Sequence, residues 1–217
     1  MKYNSVLKAE FLYRKNRFIA LCKKGFLTLT VYVPNTGRCK EILTEGATVF
    51  LTYDDNPNRK TSYTLIAVMK GDKIINIDSQ APNEVAYQAF LQNKIDLGFK
   101  YNKIKREYSH GDSRFDFNLE GEGKRALLEV KGVTLENKGI VAFPDAPTTR
   151  GLKHINGLIE ASGEYLIYIL FVIQMKGVKF FTPNYLTDKN FSQGLIRARE
   201  AGVKILAYDC LVTRNSL

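Results

Sequence analysis

Two carboxylates and one amine stand out because they interrupt apolar, strand-like segments. Glu129 and Lys131 are two residues apart at the end of an apolar run, so both side chains project from the same face of a predicted strand. Asp116 belongs to the preceding predicted strand, where polar and apolar residues alternate from 114 to 120. Turn residues at 121–124 join the two strands into a hairpin. The hairpin therefore places the three groups side by side.

This arrangement predicts a metal-dependent phosphodiesterase. Two carboxylates from adjacent strands can share Mg²⁺ or Mn²⁺, since hard divalent cations prefer oxygen ligands, and a neighbouring lysine can orient or deprotonate a water molecule. The alternative is a surface ion pair between Glu129 and Lys131, which contributes little to stability. The apolar context, ALLEV at 126–130, favours the metal site, because a charge on a buried strand needs a specific partner.

Three sequence blocks resemble the sugar fermentation stimulation protein A (SfsA) family. They are D-F-x-L-E at 116–120, L-x-E-V-K-x-V-T-L at 127–135 and F-P-D-A-x-T-x-R-G-x-K-H at 143–154. The resemblance implies an N-terminal OB-type barrel, a C-terminal α/β domain of the PD-(D/E)XK nuclease-like class with a mixed central sheet, and DNA binding. It also implies that Asp116 and Glu129 hold the metal together with the main-chain carbonyl of Val130, and that Lys131 activates the water.

The resemblance assigns further residues to the site. Gln174 matches a family glutamine and is expected at a strand end near the metal. The family's acidic residue on the first helix of the nuclease-like domain corresponds to Gln88, with Glu84 one turn earlier. Three alternatives stay open: Gln88 contacts a metal-bound water, Glu84 substitutes for the acid, or the site is weakened. Asp145 follows the E-x-K strand and is expected to cap a helix or to bind near the site.

Composition is that of a soluble globular protein with one large or two small domains. The chain has 217 residues, of which 45% are hydrophobic and 25% charged. No apolar run approaches the length of a membrane span, and the N-terminus has no signal-like apolar core, so a cytoplasmic protein without a membrane partner is expected. Three cysteines without a C-x-x-C pair predict reduced thiols. Two histidines exclude a histidine-rich metal site.

The net charge of +10 favours a polyanionic partner. Residues 1–80 hold 13 Lys/Arg and 7 Asp/Glu, whereas residues 81–217 hold 19 and 15. The first part is therefore denser in positive charge, and we expect it to contact phosphates.

Residues 1–80 contain five or six short β-rich segments separated by turn residues, which predicts a small closed barrel of the OB type. Such a barrel binds oligonucleotides through a groove of cations and aromatic side chains. The alternative is that the basic side chains are simply solvated and that P-N-T-G at 34–37 is only a tight turn. The candidate nucleic-acid contacts are Arg14, Lys15, Arg17, Asn35, Arg38, Arg59 and Lys60 in the barrel, and Arg150, Lys153 and His154 on a predicted helix.

Residues 81–217 alternate helical and strand patterns, which predicts an α/β domain. A hinge is expected at 77–82, followed by a helix from Pro82 with Asn83 as its cap and an apolar stripe that runs to Ile95. Another helix is expected from about 148, and the apolar run 165–173 is typical of a strand covered on both faces.

The sequence therefore predicts a DNA-binding member of the SfsA family with divalent-metal-dependent nuclease activity. One alternative is a non-catalytic, largely sequence-nonspecific DNA-binding regulator on a nuclease fold. Another is an RNA-processing nuclease, because neither the barrel nor the cationic helix distinguishes the 2′-hydroxyl. The oligomeric state is not predicted.

Overall fold

The computed structural model describes residues 1–35, 37 and 39–217. Six strands form the N-terminal sheet in the order β3-β2-β1-β4-β5-β6, and β3 also pairs with β5. This extra pairing closes β1 to β5 into a barrel, which confirms the predicted OB-type fold. The strands are β1 (Val6–Arg14), β2 (Ile19–Lys24), β3 (Leu27–Tyr32), β4 (Thr48–Tyr53), β5 (Tyr63–Lys70) and β6 (Lys73–Asn76).

Alternation of side chains fills the barrel. On β2, Ala20 and Cys22 are fully buried, and they share one core with Val31, Leu51 and Leu65 of β3, β4 and β5. Closure removes the unpaired edges that an open sheet would expose. The barrel core is therefore built from the inward-facing side chains of its strands.

The C-terminal part is an α/β domain around a mixed sheet in the order β14-β12-β9-β8-β7, as predicted. Strands β7, β8 and β9 are antiparallel, whereas β9, β12 and β14 are parallel. The elements are β7 (Lys103–His110), β8 (Ser113–Gly121), β9 (Lys124–Val133), β10 (Glu136–Asn137), β11 (Ile140–Phe143), β12 (Leu166–Ile173), β13 (Phe180–Pro183) and β14 (Lys204–Asp209), with helices α1 (Ala81–Leu91), α2 (Thr149–Glu160) and α3 (Lys189–Glu200).

Helices cover both faces of this sheet. On one face, Ala86 and Phe90 of α1 pack against Phe117, Leu128 and neighbouring side chains. On the other face, residues of α2 and α3 join a core that continues into the barrel. Strand β12 is buried from 167 to 173, which agrees with the expectation of a central strand covered on both sides.

Helix α1 differs from its predicted limits. It begins at Ala81 after Gln80, with Pro82 in the first turn, where the missing proline N–H costs nothing. Asn83 lies inside the helix and is not its cap. The helix ends at Leu91, because Asn93 adopts a left-handed conformation (φ 52°) and the following amides close a Schellman-type end. Ile95 is buried beyond the helix.

A strand was missed before the hairpin. This strand, β7, is a basic edge strand paired antiparallel with β8. Most of its side chains are exposed and several are charged, so it lacks the apolar alternation that reveals a strand. Charged edge strands of this kind resist pairing with other chains.

The segment expected to be a hinge is hydrogen-bonded to both parts of the molecule. The Asp78 carbonyl accepts a hydrogen bond from Gln174 Nε2 (3.0 Å), and the Ser79 amide donates to the Pro34 carbonyl (3.0 Å). Over the part of the chain that the structure describes, no helix is long and apolar enough to span a membrane. Cys22, Cys39 and Cys210 are free thiols, as expected.

Candidate metal and nucleic-acid site

The β8–β9 hairpin brings the three predicted groups into one cleft. Phe117 is opposite Leu128 in the ladder, and this register carries Asp116 next to Glu129. Lys131 follows on the same face of β9. The cleft has a volume of about 360 Å³, and its walls include Asn83 of α1 and the first turns of α2.

Glu129 is the most buried charged group of the cleft, at 3% exposure. Its Oε1 accepts a hydrogen bond from Lys131 Nζ (2.5 Å) and another from His154 Nδ1. Its Oε2 is buried and has no hydrogen-bond partner among the described residues. Burial opposes ionisation, but the hydrogen bonds from His154 and Lys131 and the charge of Lys131 outweigh it and hold the pKa of Glu129 below its usual value.

Asp116 is held from two sides. Its Oδ2 accepts from the Val130 amide and its Oδ1 from Asn83 Nδ2, each at 2.7 Å. Burial raises the pKa of Asp116, and the Glu129 carboxylate adds to this effect, against the two hydrogen bonds and the Lys131 charge. The pKa values of the two carboxylates are therefore shifted in opposite directions, although both groups lie in one cleft.

Helix α2 begins at the mouth of the cleft. Its N-cap, Thr148, accepts a hydrogen bond from the Gly151 amide. Arg150 and His154, one turn apart, both line the cleft, and Arg150 Nε donates to His154 Nε2 (3.4 Å). Lys153 is exposed and lines a separate cavity. Of the predicted cationic helix face, two residues therefore reach the site and one does not.

Comparisons with known proteins agree with this architecture. Residues 80–216 match the family model described as the sugar fermentation stimulation protein RE domain, and residues 12–77 match the SfsA N-terminal OB domain. The chain belongs to the sugar fermentation stimulation protein (SfsA) family. The resemblance stated from the motifs is thereby confirmed.

The similarity to SfsA-family proteins extends over almost the whole chain. A sugar fermentation stimulation protein homolog of Clostridium botulinum (strain Langeland) is 55% identical over 215 residues, which are 98% of this chain and 94% of the relative. A homolog of Clostridium tetani is 53% identical over 213 residues, covering 97% and 93%. The structure of Pyrococcus furiosus SfsA in complex with Ca²⁺ has a TM-score of 0.88 and 27% identity, with 99% of this chain and 94% of that chain covered.

In this SfsA-family chain, the α1 side chain that reaches the cleft is the amide of Asn83, and no acidic side chain of α1 lines it. Gln88 Nε2 donates to Glu84 Oε1 (2.9 Å), and Arg106 of β7 donates to Glu84 Oε2 (3.0 Å). Neither Glu84 nor Gln88 lines the cleft. Asn83, which the sequence suggested as a cap, is the α1 residue that meets Asp116, because successive helix residues are rotated by about 100°.

Gln174 and Asp145 line a neighbouring cavity of about 100 Å³, together with Asn35 and Ser79. Gln174 Nε2 donates to Asn76 Oδ1 (2.8 Å) and to the Asp78 carbonyl (3.0 Å). Gln174 thus anchors the segment between barrel and α/β domain, and neither residue lines the Asp116–Glu129 cleft.

Two of the barrel candidates stabilise a turn. Arg14 donates to the carbonyls of Gly37 (2.7 Å) and Asn35 (3.0 Å) and to that of Arg17. Asn35 donates to the Ile77 carbonyl (2.9 Å) and accepts from the Gly37 amide (2.7 Å). Their polar atoms therefore shape the turn after β3. Arg38, another candidate, lies outside the described residues.

The remaining barrel candidates are on the surface or in an ion pair. Arg59 pairs with Asp54 (2.6 Å) and donates to Thr64 Oγ1 (2.6 Å). Lys15, Arg17 and Lys60 are exposed. Arg17, together with Tyr13 and Lys40, also lines a groove of about 740 Å³. This groove combines the cations and aromatic surface expected of an OB-type barrel.

The candidate metal ligands are few. Within the described ranges, no group of three or more His, Cys, Asp or Glu side chains is arranged to hold a metal ion. Glu107 also lines the cleft but pairs with Arg114 (3.0 Å), so a cation there would depend on Asp116, Glu129 and main-chain oxygen.

Gly132 allows β9, α1 and Gln174 to approach closely beside the site. A Cβ at this position would overlap Gln174 Oε1 and lie 2.6 Å from Pro82 Cγ. We expect Gly132→Ala to lower the free energy of unfolding by about 1–3 kcal/mol through overpacking, measured by urea unfolding. Gly163→Ala is the matched control, since a Cβ there meets nothing within 4 Å. Equal stability of the two variants would contradict the close packing at Gly132.

Proposed function

We propose that this SfsA-family chain is a divalent-metal-dependent phosphodiesterase that acts on nucleic acid, specifically DNA. The observation that carries the proposal is Glu129 Oε2, a buried carboxylate oxygen without a hydrogen-bond partner among the described residues. Leaving such an acceptor unsatisfied costs about 1–3 kcal/mol or more. A cation in the cleft would satisfy it, whereas a structural ion pair has no need of an unpartnered oxygen.

The residues present fit a hard divalent cation. Asp116, Glu129 and the main-chain carbonyl of Val130 would hold Mg²⁺ or Mn²⁺, and all three ligands are oxygen atoms, as these ions prefer. The similar Pyrococcus furiosus protein was solved in complex with Ca²⁺, which also takes oxygen ligands. When bound, the cation would supply charge stabilisation for a phosphoryl oxygen.

The chain's own side chains would position the reactants. Lys131, held against Glu129 Oε1, would orient the attacking water. Arg150 is exposed at the start of α2, where the helix dipole also favours an anion, so it would contact a phosphate. We propose that the barrel, residues 1–80, binds the strand through surface cations such as Lys15 and Arg17 while residues 81–217 cleave it.

A second candidate is a non-catalytic DNA-binding regulator. It is favoured by one observation: α1 offers the amide of Asn83 to Asp116 (2.7 Å) and no carboxylate to the cleft. A site with two acidic side chains binds a cation more weakly than one with three, because fewer negative charges offset the cost of dehydration.

The deciding experiment is cleavage of labelled single- and double-stranded DNA and RNA with Mg²⁺ or Mn²⁺, comparing the wild type with Lys131→Ala. We expect wild-type cleavage of DNA and a rate about 10²- to 10⁴-fold lower in the variant, the usual contribution of a positioned acid or base. Binding to DNA at low salt should remain, since many other cations contribute. Salt-sensitive binding without cleavage by the wild type would instead identify the regulator.

A further inference from the structure

A line of hydrogen bonds connects the surface of α2 with the buried carboxylate of the cleft. Arg150 is exposed, His154 is 20% exposed and Glu129 is 4% exposed by side chain. Arg150 Nε contacts His154 Nε2 (3.4 Å), and His154 Nδ1 contacts Glu129 Oε1. Since Arg150 and His154 are one helical turn apart, a single helix face carries the first two groups.

The partners determine which nitrogen of His154 carries the proton. An arginine Nε–H can only donate, so His154 Nε2 must be the acceptor. The ring proton is then on Nδ1, and it is donated to the Glu129 carboxylate. A neutral imidazole in this tautomer completes an unbroken donor-to-acceptor sequence from Arg150 through His154 to Glu129.

This line of hydrogen bonds affects the geometry of Glu129. Lys131 Nζ and His154 Nδ1 both donate to Oε1, and no described residue donates to Oε2. The lysine amine is at the end of a flexible chain, whereas the imidazole is a rigid ring on a helix. The ring therefore fixes the rotation of the carboxylate and keeps Oε2 available.

We propose that His154 is a positioning residue for Glu129, and that Arg150 acts through it by holding the imidazole in the Nδ1–H tautomer. This relay, the line of hydrogen bonds from Arg150 through His154 to Glu129, rests on the proposed function, because it orients the oxygen offered to the cation. Hydrogen-bonding groups behind a metal ligand commonly have this role, and their removal weakens metal binding about 10- to 100-fold.

Two amide variants separate the two ring nitrogens. The side-chain amide of His154→Asn is bonded to Cγ, as Nδ1 is, and can still donate to Glu129. The longer His154→Gln places its amide at the reach of Nε2 and loses that bond. In isothermal titration calorimetry with Mn²⁺, we expect the dissociation constant of His154→Asn to lie within about threefold of the wild-type value. That of His154→Gln should be about 10- to 100-fold higher.

Thermal unfolding without metal distinguishes positioning from general stability. We expect both variants to have melting temperatures within a few degrees of each other, so the difference between them appears only in Mn²⁺ binding. Wild-type Mn²⁺ affinity in both variants, or equal weakening in both, would overturn the relay while leaving the nuclease proposal intact if the wild type still cleaves DNA. A wild type that binds no Mn²⁺ would overturn both proposals.

A double-mutant cycle tests whether Arg150 acts through His154. Arg150→Gln should weaken Mn²⁺ binding severalfold in the wild-type background and have no effect in the His154→Asn background, where no Nε2 is present to receive the arginine. Non-additivity of this kind is the signature of residues that act through one another. Equal effects of Arg150→Gln in both backgrounds would show that Arg150 acts independently of His154 and would exclude it from the relay.

Discussion

Replacing Glu129 by Gln is expected to abolish Mn²⁺ binding and to reduce DNA cleavage by about 10⁴-fold or more, since a bound cation supplies several kcal/mol of transition-state stabilisation. The substitution keeps the shape of the side chain and removes its charge. The oxygen that would bind the cation is the buried, unpartnered Oε2. A neutral amide at this position offers a hard cation at most one uncharged oxygen.

Metal binding provides a test that does not depend on turnover. A ligand that binds only the folded protein raises its melting temperature by mass action, so Mn²⁺ should stabilise the wild type and not Glu129→Gln. Glu84→Gln is the matched control, because Glu84 pairs with Arg106 (3.0 Å) outside the cleft. If Mn²⁺ raises the melting temperature of Glu129→Gln as much as that of the wild type, the cation binds elsewhere.

Phe117→Ala is expected to lower the free energy of unfolding by about 3–5 kcal/mol, as large-to-small substitutions of buried aromatic residues do. Phe117 is fully buried under α1. Its ring is 5.3 Å from that of Phe90 in an edge-to-face contact and 6.3 Å from that of Tyr87 in a stacked one. Truncation leaves a cavity between the hairpin and the helix that carries Asn83.

Urea unfolding followed by tyrosine fluorescence is suitable, since the chain contains 12 tyrosines and no tryptophan. Phe26→Ala is the control, because Phe26 is fully exposed and should change stability by less than about 0.5 kcal/mol. Similar losses for the two phenylalanines would contradict the packing of α1 on the hairpin. A weaker Asn83–Asp116 contact in Phe117→Ala should also lower its affinity for Mn²⁺.

The sequence by itself determined the local framework of this protein. Short β-rich segments separated by turn residues indicated the barrel, and the two-residue spacing of Glu129 and Lys131 placed both on one face of β9. The apolar run of β12 indicated a strand covered on both sides. These features follow from backbone geometry, which repeats every two residues along a strand and is written directly in the order of polar and apolar residues.

Only the tertiary structure decided which side chains meet across elements. It turned Asn83 towards Asp116 and Glu84 towards Arg106, joined His154 to Glu129, and engaged Arg14 with backbone carbonyls. It also placed Gln174 against Asn76 in the cavity beside the cleft. The rotation of a helix about its axis and the docking of barrel on sheet are set by the packing of the whole core. The spacing of residues within one segment does not encode this rotation or this docking. Adjacent residues such as Asn83 and Glu84 therefore reach different partners.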